Sequence, residues 1–560
     1  MKKFLSLLLS LILLFSMTLP VFGAVNMFET RSQIPVVFIS GDGNTIYDKN
    51  DQPLSKLSKL FNNNGGKSED SAVAEIVKSA GVMYKEYLME GLLKDNWDPF
   101  YSAIRTEISK YFGDILLDNN GEATNGTHIS QWHQDQVEYS KTHDRKGDKG
   151  FYDRGDYFFW YDWRLDPMEI ADQFNEFIKA IKKTTGHEKV PLVCRCLGTN
   201  VVCAYLTKYG TDDVYGVGFD GAVCMGAEPL SESLSGKFKV DMSSIKRVII
   251  DGNYYGTFSL DPLILACVEL VDRSGLVDGY VALKKATLYE KLVKGVTSAL
   301  TLSSIVSFPC YWASVTPEDF DTAVEYVFGE EGSEKRTQYA GLIEKITNYN
   351  EKVKKNIPSL LKSLPEKGVK VGVIAKYGTQ MIPTSESATV IADSFVSTHS
   401  SSFGATTGTI YEPLSDEYIA AQTAKGLGKY ISPDKQVDAS TCILPDYTWF
   451  VKGVKHSEWT YAEDMLLMTV VTSEKQLSIN DFDESQFMVK HPTDWWAMTA
   501  MTEDNCHTEA WVADKETDHP STFTAKLKLL MKALVNFFKE LVRFVKEKVD
   551  TTTVPSEQNR

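Results

Sequence analysis

Several absences narrow the function of this chain before any motif is considered. No Cys/His cluster has zinc-ligand spacing, and Cys194-Arg195-Cys196 is one residue short of the CxxC redox spacing, so neither a metal nor a cofactor is expected. Basic residues are in deficit, 59 against 75 acidic, for a formal charge of −16. The body of such a chain does not suit nucleic acid, whose phosphates need a basic surface. Past Ala24 no run of eighteen uncharged apolar residues occurs, so no membrane span is expected there. No internal repeat is found. What is present is 560 residues, 43% of them apolar, enough for a sizeable core and too apolar for disorder.

The N-terminus is the exception to the shortage of apolar runs. Met1-Lys2-Lys3, the apolar stretch Phe4 to Leu14 and the small exit Val21-Phe22-Gly23 have the form of a bacterial-type signal peptide over 1–23; a retained anchor is the alternative. A secreted or cell-envelope location is therefore expected. The eight cysteines are an even number, which in a secreted chain ordinarily points to disulfides. Four of them lie between 194 and 224 in apolar, strand-like or helix-like sequence, and a large core has little need of cross-links, so the pairing stays open.

From Ile34 onward, short β-branched runs alternate with helical spacing, which predicts an α/β fold with a parallel sheet covered by helices. Strands are expected at Pro35–Ser40, Tyr157–Tyr161, Val190–Cys194, Val217–Cys224, Val369–Ala375 and Thr448–Val454. Helices are expected at Met168–Lys183, with Ile170, Phe174, Phe177 and Ile181 on one face, and at Gly198–Lys208. Residues 231–366 lose the alternation and look mainly helical, as a cap over a site or a second helical domain. This divides the chain into a core of 24–230 and 367–475 around that insertion, an extension over 476–520, and a final helix within 521–550. In that helix, residues 526–548 carry seven basic and two acidic side chains opposite a leucine and phenylalanine face. Such a helix suits peripheral membrane contact or packing on the domain, and both remain open.

Chemistry concentrates at Val190-Pro-Leu-Val-Cys194-Arg195-Cys196-Leu197-Gly198. A strand running abruptly into a helix makes a nucleophile elbow, whose tip stands above the sheet in strained backbone. The usual G-x-S-x-G reads here Cys-x-Cys-x-Gly, with Cys196 at the tip and Gly198 retained. A nucleophile–acid–histidine order along the chain then directs attention to His456, which follows a strand; His399 is the next candidate, and His491 and His507 look incidental.

Together with Trp160-Tyr-Asp-Trp163-Arg164-Leu-Asp-Pro167, this elbow resembles the lecithin:cholesterol acyltransferase and lysosomal phospholipase A2 family, which has Y-D-W-R-L-x-P at the same distance before G-H-S-L-G. Pro35 to Asn44 is similar to the family's first strand and oxyanion turn, Gly226-Ala227-Glu228-Pro229 to its G-A-P, and Tyr377-Gly378-Thr379 with Pro383-Thr384 to its Y-G-T-G-x-P-T. The string Arg195-Cys196-Leu197-Gly198 is also similar to the cysteine elbow of dienelactone hydrolases. The resemblance spans roughly 34–460 and implies the α/β-hydrolase fold. It also implies a Cys196–His456–Asp434 triad, with Asp438 as the alternative acid and the backbone N–H groups of Leu197 and Asp42 as the oxyanion hole. Asp42 is expected to pair with Arg195, which stands where the family has histidine. The implied substrate is an acyl ester or lipid, hydrolysed or passed to an alcohol acceptor. The alternative function is a catalytically silent envelope-binding protein of the same fold. Oligomeric state is not legible.

Overall fold

The computed structural model describes residues 34–41, 45–54, 87, 90–91, 94–129, 157–237, 295, 298–299, 302–381, 385–410, 412–458, 460–482, 486–490 and 497–506. The signal-peptide segment 1–23, Asp42 and the basic helix 526–548 lie outside them. The fold is α/β, built on an eight-stranded, mostly parallel sheet. Its strands are β1 (Val37–Ile39), β2 (Tyr157–Phe159), β3 (Val190–Cys196), β4 (Val214–Ala222), β5 (Lys370–Tyr377), β6 (Thr448–Lys452), β7 (Phe487–Lys490) and β8 (Met498–Ala500). Across the sheet they run β2-β1-β3-β4-β5-β6-β7-β8, and among these only β8 is antiparallel to its neighbour.

Both faces are covered, which is why the strands read as continuous apolar runs. Alternation still sorts the side chains. Val37, Ile39, Leu192 and Cys194 belong to one core, shared with α1 (Pro167–Thr185) and α2 (Gly198–Tyr209). Val36, Phe38 and Val193 belong to another, shared with α7 (Tyr461–Thr472). Helix α1 starts where Asp166 accepts from the Met168 amide with Pro167 in its first turn, and stops at Gly186, whose φ is +75°. Its buried face holds Ile170, Phe174, Phe177 and Ile181, as the spacing predicts. Pro191 falls within a central strand, and the β3–β4 register shifts between Val190 and Pro191, the irregularity that a missing N–H calls for.

Two observations bear on the expected boundaries. The sheet continues past residue 475, because Phe487–Lys490 and Met498–Ala500 add its last two strands. The expected helical segment 231–366 also reaches the sheet at its end. Between α3 (Glu228–Leu234) and β5 come α4 (Phe320–Phe328), α5 (Ala340–Lys352) and α6 (Ile357–Glu366). Helix α4 shares a small core with Trp312, Leu342 and Ile346, separate from the sheet. Helix α6 instead buries Ile357, Leu361 and Leu364 with Val369 and Val371, so it is part of the layer covering the sheet. The seven described cysteines are all free thiols. Among the described residues no helix is long and apolar enough to cross a membrane, and no group of side chains could hold a metal ion.

Candidate active site

After β1 the chain moves to β2 on one side of it and then to β3 on the other. Such a reversal, at the carboxyl ends of β1 and β3, is the place where open α/β sheets bind ligands. Cys196, the last residue of β3, stands there with φ +51°, a left-handed conformation that costs a non-glycine residue on the order of 1 kcal/mol. The turn closes because the next position but one is glycine. A Cβ on Gly198 would meet the carbonyl oxygen of Ile39 at 2.3 Å, so the start of α2 packs directly on β1. Gly41 approaches from the other side: a Cβ there would lie 3.1 Å from Cys196 Sγ and 3.6 Å from the Leu197 amide nitrogen. The Tyr161 hydroxyl donates to the Ser40 carbonyl at 2.7 Å and fixes that turn.

The structure brings His456 to the same place. It follows β6, its amide donates to the Asp393 carbonyl at 2.6 Å, and its ring lies over Gly221, where a Cβ would be 3.4 Å from Nδ1 and Cε1. Phe395 packs on the ring with centroids 5.2 Å apart. Nδ1 is hydrogen-bonded to Asp393 Oδ2 at 2.8 Å, and Nε2 is buried without a hydrogen bond. Burial pushes the imidazole pKa down, but the Asp393 carboxylate and then the Cys196 thiol oppose it and hold it well above the ordinary histidine range.

The carboxylate on His456 is therefore Asp393, not the expected Asp434 or its alternative Asp438. Asp393 is fully buried, and its other oxygen accepts from the amides of Phe395 at 3.0 Å and Val396 at 2.8 Å. Asp434 faces away from the site, bonded to Lys452 Nζ at 2.8 Å and to the Tyr377 hydroxyl at 3.2 Å. Asp438 accepts from the Tyr418 hydroxyl and caps a short turn through the Ser440 amide. His399 is also remote from this pairing, its Nδ1 lying 2.9 Å from the Ala405 carbonyl oxygen. Arg195 meets Asp220 Oδ2 at 2.5 Å and Asp464 Oδ1 at 2.9 Å, while its expected partner Asp42 lies outside the described residues.

The loop that carries Asp393 is clasped by α3. Glu228 accepts from the Ser397 amide at 2.9 Å and from the hydroxyls of Ser397 and Ser400. One turn on, Glu232 accepts from the Ser387 amide at 3.1 Å and from the hydroxyls of Ser385 and Ser387. The signal for this was the charge inserted in Gly226-Ala227-Glu228-Pro229, together with a serine-rich loop able to answer it. Asp393 itself had no local signal beyond lying between the elbow and His456. Chemically, the constellation is a thiol, an imidazole and a buried carboxylate that orients that imidazole, at the rim of a sheet.

No protein-family model matches the chain, and no curated protein matches it. Among solved structures, "The crystal structure of Tle4-Tli4 complex" is similar over 61% of this chain and 75% of that one, at 11% identity and a TM-score of 0.23. A likeness of that degree carries no argument about function.

Proposed function

We propose that the protein is an acyl-ester hydrolase or acyltransferase of the α/β-hydrolase type, with Cys196 as nucleophile, His456 as general base and acid, and Asp393 as the residue that orients and charges the imidazole. One observation carries this reading: a cysteine in left-handed backbone at a strand-to-helix elbow, beside a histidine whose Nδ1 is held by a buried aspartate. The strand sequence β2-β1-β3-β4-β5-β6, with the nucleophile after β3, the acid after β5 and the histidine after β6, fits that fold.

In this mechanism the thiol proton passes to His456 Nε2 and the thiolate attacks the ester carbonyl carbon. The oxyanion is received by the Leu197 amide and, by the resemblance, that of Asp42, each donor contributing about 3 kcal/mol. Collapse breaks the carbon–oxygen bond, His456 returns its proton to the leaving alkoxide, and a thioester remains on Cys196. Water, deprotonated by the same imidazole, releases the acid and regenerates the thiol; an alcohol in its place makes a new ester. The resemblance to the lecithin:cholesterol acyltransferase and lysosomal phospholipase A2 family supports a lipid-like acyl substrate. Residues 1–23 and 526–548 support a secreted protein that touches an envelope surface.

The test is turnover of p-nitrophenyl acyl esters of increasing chain length, with Cys196→Ala and Cys196→Ser beside the native chain. Turnover that rises with chain length and vanishes in Cys196→Ala is expected. No turnover in the native chain, with no alkylation of Cys196 by iodoacetamide, would overturn the reading in favour of a silent surface-binding protein.

A further inference from the structure

Strand alternation turns Arg195 to the face of the sheet opposite Cys194, the face covered by α7. There it enters a buried cluster of charged side chains drawn from three adjacent strand ends and one helix start. Asp220 of β4 receives Arg195 and also Lys376 of β5, whose Nζ lies 3.2 Å from Asp220 Oδ1. Asp464 of α7 receives Arg195, and Glu463 stands 3.7 Å from Lys376 while its other oxygen accepts from the Thr460 amide as the α7 cap. Lys376, Asp220 and Glu463 have no exposed surface at all, Asp464 is nearly buried, and Arg195 keeps one-fifth of its side chain exposed.

Stability alone does not account for such a cluster. Removing charges from water costs several kcal/mol per ion, and apolar residues of equal volume commonly do as well or better. What the cluster holds is more informative. Arg195 immediately precedes Cys196, and Asp220 immediately precedes Gly221, on which the His456 ring rests. Lys376 also donates to the Glu458 carbonyl at 2.6 Å, and Glu458 closes the turn that carries His456, its amide donating to the Lys455 carbonyl at 3.0 Å. Each link therefore ends next to one member of the constellation.

We propose, resting on the assignment of Cys196 and His456 above, that Lys376 and Arg195 are positioning residues: through this one cluster they hold the His456 turn and the Cys196 elbow in register with each other. Lys376 fixes the histidine side, Arg195 with Asp464 fixes the cysteine side, and Asp220 joins the two.

The experiment uses Lys376→Met and Asp464→Leu in the full chain, each close in volume to the residue it replaces. Readouts are kcat and KM on a p-nitrophenyl ester, the pH profile of Cys196 alkylation by iodoacetamide followed on its peptide, and hydrogen exchange across 453–458. In each variant kcat is expected to fall by about tenfold to a hundredfold at unchanged KM, the scale of a small misplacement of reacting groups. The alkylation profile is expected to move to higher pH, and in Lys376→Met faster exchange should be confined to the His456 turn. A folded Lys376→Met with native kcat and an unmoved profile overturns the proposal. If Lys376→Met does not fold, Asp464→Leu decides it by the same criteria. A native chain whose Cys196 neither alkylates nor turns over would instead defeat the functional reading, and so separates the two failures.

Discussion

Replacing Asp393 by asparagine separates the carboxylate the structure assigns to His456 from the one the sequence nominated. The side chain is fully buried, with one oxygen taken by two backbone N–H groups at 3.0 and 2.8 Å and the other on His456 Nδ1 at 2.8 Å. Asparagine keeps the shape, and its oxygen remains the only atom able to accept from those amides. Its NH2 is then forced toward Nδ1. That reverses the bond: Nδ1 becomes the acceptor, the proton moves to Nε2, and the ring can no longer take a proton from Cys196. Loss of the right tautomer and of the charge that stabilises the imidazolium is expected to lower kcat by about three orders of magnitude, ~4 kcal/mol, with little change in KM. Asp434→Asn is the counterpart. It leaves Lys452, a buried cation 2.8 Å away, without its carboxylate, and is expected to destabilise the fold by about 3–5 kcal/mol while kcat of the folded fraction stays within about twofold. Steady-state kinetics on a p-nitrophenyl ester, with denaturant melts of both variants, decide the matter. The assignment fails if Asp393→Asn keeps most of its kcat, or if Asp434→Asn loses kcat while remaining folded.

Two further outcomes follow from strain and from a buried proton. At position 196 the left-handed backbone should invert the usual preference, so that Cys196→Gly is more stable than Cys196→Ala by about 1 kcal/mol, both being inactive; an alanine variant of equal or greater denaturant midpoint would mean the elbow is unstrained. Burial pushes Glu463 up to about 7, against attraction from Lys376, so the native state holds a proton that the unfolded chain releases near 4.5. Its contribution to stability is present in full below that lower value and is lost as pH rises through about 7. Glu463→Gln, which still caps α7, should therefore gain on the native chain between pH 5 and pH 8, by at most about 3 kcal/mol, and parallel stability curves would contradict the assignment.

Legibility in the sequence tracked how local each determinant is. Strands β3, β5 and β6 were readable because a strand buried on both faces is an unbroken apolar run, and α1 because its proline, cap and spacing agree. Cys196 and His456 were readable because each sits at the carboxyl end of such a strand. Asp393 was not, since its role depends on the path of the loop after β5 and on the clasp of Glu228 and Glu232, more than 150 residues earlier in the chain than the serines they hold. Asp434 resembled an acid turn locally, and only the fold reveals that Lys452 on β6 claims it. The last two strands were missed because three or four residues carry too short an alternation to stand out.

The elbow departs from G-x-S-x-G at its first glycine and keeps its second, and the two positions differ in what they touch. The first glycine of that pattern exists to make room beside the nucleophile, and here Cys194 occupies its position with no exposed surface. Gly218 of β4 offers its carbonyl to the Cys194 thiol at 3.3 Å, while a Cβ on Gly218 would face Leu467 and Val471 of α7 on the other side of the sheet. The buried thiol is thereby satisfied. Gly198 cannot be replaced in the same way, because its added Cβ would strike the Ile39 carbonyl of β1, which has nowhere to move. A side chain is accommodated where a neighbouring strand offers it a hydrogen-bond partner, whereas the glycine that admits backbone against backbone had to stay.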